Sequence, residues 1–266
     1  MIYTLERLSE TGTILLVGCG GTGGFVAEGL CRLLVGDRDR RLYLVDHDRV
    51  EESNLGRQNF YREDLGRFKS QVLAERLSRQ FERPIEYSTG RIEELGVGWR
   101  GNLTIGCVDN PRARESLMVG GETGFMHHKV GYSHYGGWYI DAGNGEHSGQ
   151  VLIGSCFVRE TAGAFVPESG LCRRLPLPQI QQPALLAPET KPRRRRDCAA
   201  AVAAEEQSPV INRLMADLVL TFVYKLLKGT LTWMGAYIDL DSGALNTVAA
   251  TPEAVGRITG HSVRQP

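Results

Sequence analysis

A short apolar run, Thr13-Ile14-Leu15-Leu16-Val17, opens directly into the glycine loop Gly18-Cys19-Gly20-Gly21-Thr22-Gly23-Gly24. A continuous apolar run of this length suits a strand covered on both faces. Phe25 to Val35 then reads as a helix stopped by Gly36, and Leu42 to Val45 as a second buried strand ending at Asp46. Strand, glycine turn, helix, strand and a terminal acid make a βαβ unit, which commits the chain to a parallel sheet covered by helices.

Later segments extend the unit. Phe68 to Phe81 carries apolar residues at 73, 77 and 81, one helical face, and Ile85 to Ser88 and Leu103 to Val108 read as further strands. Trp138-Tyr139-Ile140-Asp141 and Gln150 to Phe157 flank the turn signal Asn144-Gly145, which predicts an antiparallel addition. A proline-rich stretch over 174–197 ends in Arg193 to Arg196 and reads as an exposed loop. Asp197 can cap a short helix starting at Cys198. Ser208-Pro209 starts a helix that runs to Lys228 and stops at Gly229. Tyr237 to Leu240 and Leu245 to Val248 flank Ser242-Gly243 as a final hairpin. The expected fold is therefore α/β: a Rossmann-like, doubly wound mixed sheet, parallel in its N-terminal half with antiparallel C-terminal additions. One domain spans 1–266, with a nucleotide-binding core over 1–170, a mobile crossover loop over 171–197, and a helix and hairpin over 198–266.

The chain's 266 residues suffice for a full core. Thirty-one basic residues balance thirty-one acidic ones, which argues against a general nucleic-acid or membrane-surface binder. The longest apolar stretch, Leu214 to Leu227, is short for a bilayer span and is interrupted by Asp217 and Lys225. Six cysteines without an apolar leader predict reduced thiols in a cytoplasm.

Gly18-x-Gly20-x-x-Gly23 between a strand and a helix points to a nucleotide, with Asp46 where a ribose hydroxyl would lie. That much also fits a nicotinamide-dependent oxidoreductase. The residues that follow suit a triphosphate. Arg57 offers a planar fork of donors. Asn54 and Gln58 add uncharged ones. Lys69 stands near a helix start, where its ammonium and the helix N-terminus can both face an anion. Asp109, at another strand end beside Asn110, is placed to hold Mg²⁺ between phosphates. Each residue alone fits an ordinary polar loop; the case lies in their joint position on adjacent strand ends. A scaffold that binds without turnover fits the same residues.

At these positions the chain resembles the ThiF/MoeB group of adenylating enzymes, relatives of the ubiquitin-activating enzymes. The likeness covers the glycine loop, Asp46-His47-Asp48, Ser53-Asn54-Leu55-Gly56-Arg57-Gln58, Gly66-Arg67-Phe68-Lys69, Val108-Asp109-Asn110 with Arg114, and the Cys198 region. It is similar above all to the ThiF-type proteins of plasmid-borne PRTRC systems, through Cys107 to Arg114, Tyr139 to Gly145 and Ser208 to Asn212. The resemblance implies Mg·ATP-dependent adenylation of the C-terminal glycine of a ubiquitin-like, β-grasp protein. It implies a nucleotide site of Gly18, Gly20, Gly21, Gly23, Asp46, Asp48, Asn54, Arg57, Gln58 and Lys69, with Arg57, Lys69 and Asp109 catalytic and Asp109 also the metal ligand. It further implies a homodimer and a conjugating enzyme as a downstream partner.

Many relatives pass the acyl group to a cysteine near the crossover loop, where Cys198 falls. In a first helical turn beside Arg193 to Arg196 its thiol pKa would be lowered, with Asp197 partly opposing. Cys19, Cys31 and Cys107 sit in apolar surroundings and read as core. Two Cys-x-x-Cys pairs are absent, so no zinc is expected. His127, His128, His134 and His147 read as surface or strand histidines. Arg7 is the candidate for the arginine that relatives extend to a neighbouring subunit.

Overall fold

The computed structural model describes residues 1–95, 102–122, 137–155, 163–187 and 208–260. Within them, eight strands form one mixed sheet: β2 (Gly12–Val17), β3 (Arg40–Val45), β4 (Ile85–Ser88), β5 (Leu103–Gly106), β6 (Trp138–Asn144), β7 (Ser148–Gly154), β10 (Trp233–Asp239) and β11 (Ala244–Ala249). Their order is β11-β10-β7-β6-β5-β2-β3-β4. β4, β3, β2, β5 and β6 run parallel, and β6, β7, β10 and β11 pair antiparallel in turn. The expected mixed sheet with antiparallel C-terminal additions is present.

Alternation in the parallel strands divides the core. Ile14, Leu16, Leu42, Leu44 and Ile105 point to one face, under α1 (Gly21–Leu33), α2 (Lys69–Phe81) and α5 (Pro209–Lys228). Leu15, Val17, Tyr43 and Val45 point to the other, where Leu117 of α3 (Pro111–Glu122) packs. The continuous apolar runs Ile14 to Val17 and Leu42 to Val45 follow from burial on both sides. α5 is sharply bounded: the Ser208 hydroxyl accepts from the Ile211 N–H at 3.2 Å, Pro209 takes the first position, and Gly229 ends it at φ 64°.

Several boundaries moved. α1 begins at Gly21 rather than Phe25, because the last glycines of the loop already form its first turn. β5 ends at Gly106, so Asp109 stands beyond the strand. A further helix, α6 (Pro252–Thr259), is capped by the Thr251 hydroxyl, which accepts from the Ala254 N–H at 3.1 Å. Residues 171–187 are not a loose loop. Leu171–Cys172 (β9) pairs with Thr4–Leu5 (β1) and Phe165–Val166 (β8) in a small second sheet, and α4 (Pro178–Gln181) follows. Leu175, Leu177 and Leu185 are buried there, so these prolines stiffen a packed strap. Residues 188–197, with the arginine run and the Asp197 cap, lie outside the described residues, as do Cys156, Cys198, His127, His128 and His134.

Candidate active site

The sheet changes winding direction at β2. β3 and β4 lie on one side of it, β5 and β6 on the other. The chain therefore leaves the ends of β2 and β5 in opposite senses and opens a crevice, the expected ligand position in a doubly wound sheet. A cleft of 1620 Å³ occupies it. Gly18 stands at its base with φ 88°, a left-handed conformation, and a side chain there would overlap the Cys107 carbonyl.

Of the residues expected at a nucleotide site, Gly18, Gly20, Gly21, Asp46, Asp48, Asn54, Arg57, Gln58, Lys69 and Asp109 all line this one cleft. Gly23 does not. It packs against the Gly18 carbonyl, and any side chain there would overlap that oxygen, so its service is to the turn.

Asp46 is buried, and both its oxygens are engaged: Oδ2 accepts from the Cys19 N–H at 2.6 Å and Oδ1 from the Asp48 N–H at 2.8 Å. Burial pushes its carboxyl above the ordinary aspartate value, while Lys69 and these two N–H groups pull it back. Lys69 is the first residue of α2. It is buried, and its Nζ lies 3.2 Å from Asp48 Oδ2. The next residue, Ser70, places its hydroxyl 2.8 Å from the carbonyls of Asp46 and Ser88, which locks the helix start to the ends of β3 and β4.

The 51–58 loop is rigid for a local reason. Asn54 Oδ1 accepts from the Glu51 N–H at 3.0 Å, and the N–H groups of Arg57 and Gln58 both donate to the Asn54 carbonyl. This places Arg57 and Gln58 on the cleft wall. Gln58 Oε1 is buried beside Gly20 without a hydrogen-bond partner among the described residues, an acceptor left open for a donor on a bound molecule.

Across the cleft, Asp109 is exposed and makes no ion pair among the described residues. Its neighbour Asn110 caps α3, accepting from the Ala113 N–H at 2.8 Å. Asp46, His47 and Asp48 bring their ligand atoms within 4.8 Å of one another. Asp46 and Asp48 already have the partners described above, whereas Asp109 accepts only from the neighbouring Asn110 amide at 3.5 Å among the described residues.

Sequence reasoning missed a buried polar network behind this wall. Arg114 Nε donates to both oxygens of Asp141 at 3.3 Å, and the Tyr139 hydroxyl donates to Asp141 Oδ2 at 2.6 Å. Gln179 of α4 donates to the Arg114 carbonyl at 3.2 Å. Burial raises the Asp141 carboxyl, with Arg114 and Tyr139 opposing. Arg114 reaches the cleft under Gly143, beside Gln150. A signal was present: Tyr139 and Asp141 alternate with apolar residues in β6, which puts two polar groups on one buried face.

Three of the described thiols are held toward the protonated form by burial. Burial raises Cys19 and Cys107, and pushes Cys31 to about 11. Cys19 and Cys31 are core as expected, and Cys107 packs against the same core while also lining the cleft. His147 is exposed and pairs with Asp241 at 2.8 Å. Arg7 pairs with Glu10 at 2.8 Å and packs on Gly229. No helix among the described residues is long and apolar enough to cross a membrane.

Sheet order, glycine turn and polar cleft define a Rossmann-like α/β protein with its site at the switch point. Residues 3–116 match the model of the ThiF family. Ubiquitin-like modifier-activating enzyme 5 of Dictyostelium discoideum is 36% identical over 121 residues, 40% of this chain and 31% of that protein. The ATP-dependent ubiquitin transferase-like protein Cap2 of Escherichia coli is 41% identical over 80 residues, 30% of this chain and 13% of that protein. The chain thus matches under a third of the length of these curated relatives. Among solved structures, Escherichia coli MccB in complex with a form of MccA superposes with a TM-score of 0.59 at 16% identity, covering 90% of this chain and 65% of that one. PaaA gives a TM-score of 0.57 at 18% identity, with 91% and 65% covered. Another MccB structure was solved with ATP. At these identities the likeness to solved structures establishes the fold.

Proposed function

We propose that the cleft binds ATP and adenylates a carboxylate, the C-terminal glycine of a small ubiquitin-like protein. The observation that carries this reading is the convergence of Arg57, Gln58, Lys69 and Asp109 on one switch-point cleft. A dinucleotide reading uses the glycines and Asp46 but gives no task to Arg57, Lys69 or an open Asp109. The names of the curated relatives, a modifier-activating enzyme and a ubiquitin transferase-like protein, support the same class of acceptor.

In this reading the triphosphate lies between the two walls. Asp46 and the glycine loop face the ribose. Arg57 and Lys69 neutralise the phosphates, and Asp48 steadies Lys69. Asp109 fits a Mg²⁺ ligand because it is an oxygen donor, exposed and without a cationic partner among the described residues. Such an ion would supply countercharge between phosphates. The acceptor carboxylate is ionised at neutral pH, so it attacks the α-phosphorus without a general base. The bond to the β-phosphate oxygen breaks, and pyrophosphate leaves with that bond's electron pair. The protein's contribution is position and charge neutralisation. Transfer of the acyl group to Cys198, homodimer formation and handover to a conjugating enzyme extend the same proposal.

The test uses purified protein, Mg²⁺ and ATP labelled at the α-phosphate, with candidate β-grasp proteins. Label on a candidate that vanishes when its terminal glycine is removed supports the proposal. ATP bound but no label on any glycine-ended candidate, with label on a small carboxylate or a nucleic acid instead, overturns the acceptor.

A further inference from the structure

The first turn of α5 carries Asn212, wholly buried on a helix whose other inward side chains are apolar. A buried amide is costly unless its groups are met. Here they are met by two distant segments. Asn212 Nδ2 donates to the Arg57 carbonyl at 3.3 Å, and Asn212 Oδ1 accepts from Asn144 Nδ2 at 3.3 Å. Asn144 Oδ1 in turn accepts from the Thr22 hydroxyl at 3.2 Å.

Thr22, Asn144, Asn212 and Arg57 thus form one hydrogen-bonded chain. It joins the start of α1, the end of β6, the start of α5 and the phosphate loop. The Asn212 amide also fills the space beside Gly21, where a side chain would overlap it. Thr22, Asn144 and Arg57 all line the cleft. An apolar residue at 212 would serve packing alone; only a group that both donates and accepts serves the two loops at once.

We propose that Asn212 is a positioning residue for nucleotide binding. It fixes the separation of the glycine loop from the Arg57 loop and so holds the cleft at the width of its ligand. The proposal rests on the nucleotide reading above. Donors held in place before binding lose little freedom when the ligand arrives, whereas loops free to part must be ordered at that moment.

The experiment is calorimetric titration of the full chain with Mg·ATP, beside thermal unfolding of each variant. Asn212→Ala should weaken ATP binding about tenfold or more. Asn144→Ala, which cuts the chain at its middle without touching the α5 core, should do the same. The double variant should be little worse than either single, because both break one linkage. Val223→Ala, buried on α5 outside the chain, should lower the Tm and leave the ATP Kd unchanged. Should Asn212→Ala fail to fold, Asn144→Ala carries the test. Unchanged ATP affinity in a folded variant that has lost the linkage overturns the proposal and leaves the nucleotide reading standing. Wild-type protein that binds no Mg·ATP overturns that reading, and the proposal with it.

Discussion

The wall built from residues 18–69 and the wall built from residues 107–150 face one cleft, yet they assemble over different lengths of chain. On the first wall the Asp46–Cys19 and Lys69–Asp48 contacts join residues 27 and 21 apart. The opposite side draws on Gln179 to reach Arg114, 65 residues away, and on Asn212 to reach Asn144, 68 away. The first is a string of local motifs, each stiffened by its own turn or cap. The second exists only after the sheet has closed and α4 and α5 have docked. Chemistry that must meet phosphates is written locally here, and the geometry that holds it is written at long range.

The sharpest way to break this contrast is to remove chemistry without touching the fold. Arg57→Ala and Asp109→Ala should each lower adenylation on the order of 10²–10³-fold, with unfolding midpoints near wild type. A small effect on rate would mean that the first wall is not a phosphate site.

The converse variant lies behind the second wall. Asp141→Ala leaves Arg114 buried without its counter-ion and should cost about 3–5 kcal/mol of folding stability in urea. A cost under about 1 kcal/mol would show that the network is not the support described here.

Acid titration sharpens the comparison. Asp46 and Asp141, one behind each wall, have carboxyls raised above the ordinary 3.8 by burial. Between 3.8 and the raised native value, the unfolded chain has released these protons while the folded chain still holds them. The folded state binds more protons there, so stability falls as pH rises through that window. The lowered carboxyls of Asp37 and Glu75 act in the opposite sense, so the test is differential: the urea midpoint of Asp46→Asn should fall less, or rise more, across that window than that of the wild type. A pH dependence unaltered by that substitution would count against a raised Asp46.

Smallest in expected effect is alkylation of the thiols at neutral pH. Cys19, Cys31 and Cys107 should react slowly, because burial holds all three protonated. The proposed role of Cys198 requires it to react first. Peptide mapping after brief iodoacetamide treatment checks the order. Cys198→Ala should spare adenylation and remove only a thiol-cleavable acyl adduct.

Most of the parallel half was legible because each element carries its own local code. Apolar runs gave β2 and β3. Ser208, Pro209 and Gly229 bounded α5, the spacing from Gly18 to Lys69 placed nine cleft residues, and the end of the β5 run gave Asp109. The failures share a cause. Prolines at 176, 178 and 183 suggested an exposed loop, but the intervening leucines find a core only once β9 pairs with β1. Arg114, Asp141 and Gln179 are ordinary polar letters until β6 and α4 bring them together. Gly23 matched the motif, but it serves the backbone rather than the cleft.

The most direct measurement is ATP–pyrophosphate exchange by the purified chain with Mg²⁺, with and without glycine-ended β-grasp proteins. Exchange that depends on the partner and is lost in Arg57→Ala is the predicted result. Tight ATP binding with no exchange in the presence of any such partner would contradict carboxylate activation and leave a cleft that holds the nucleotide without spending it.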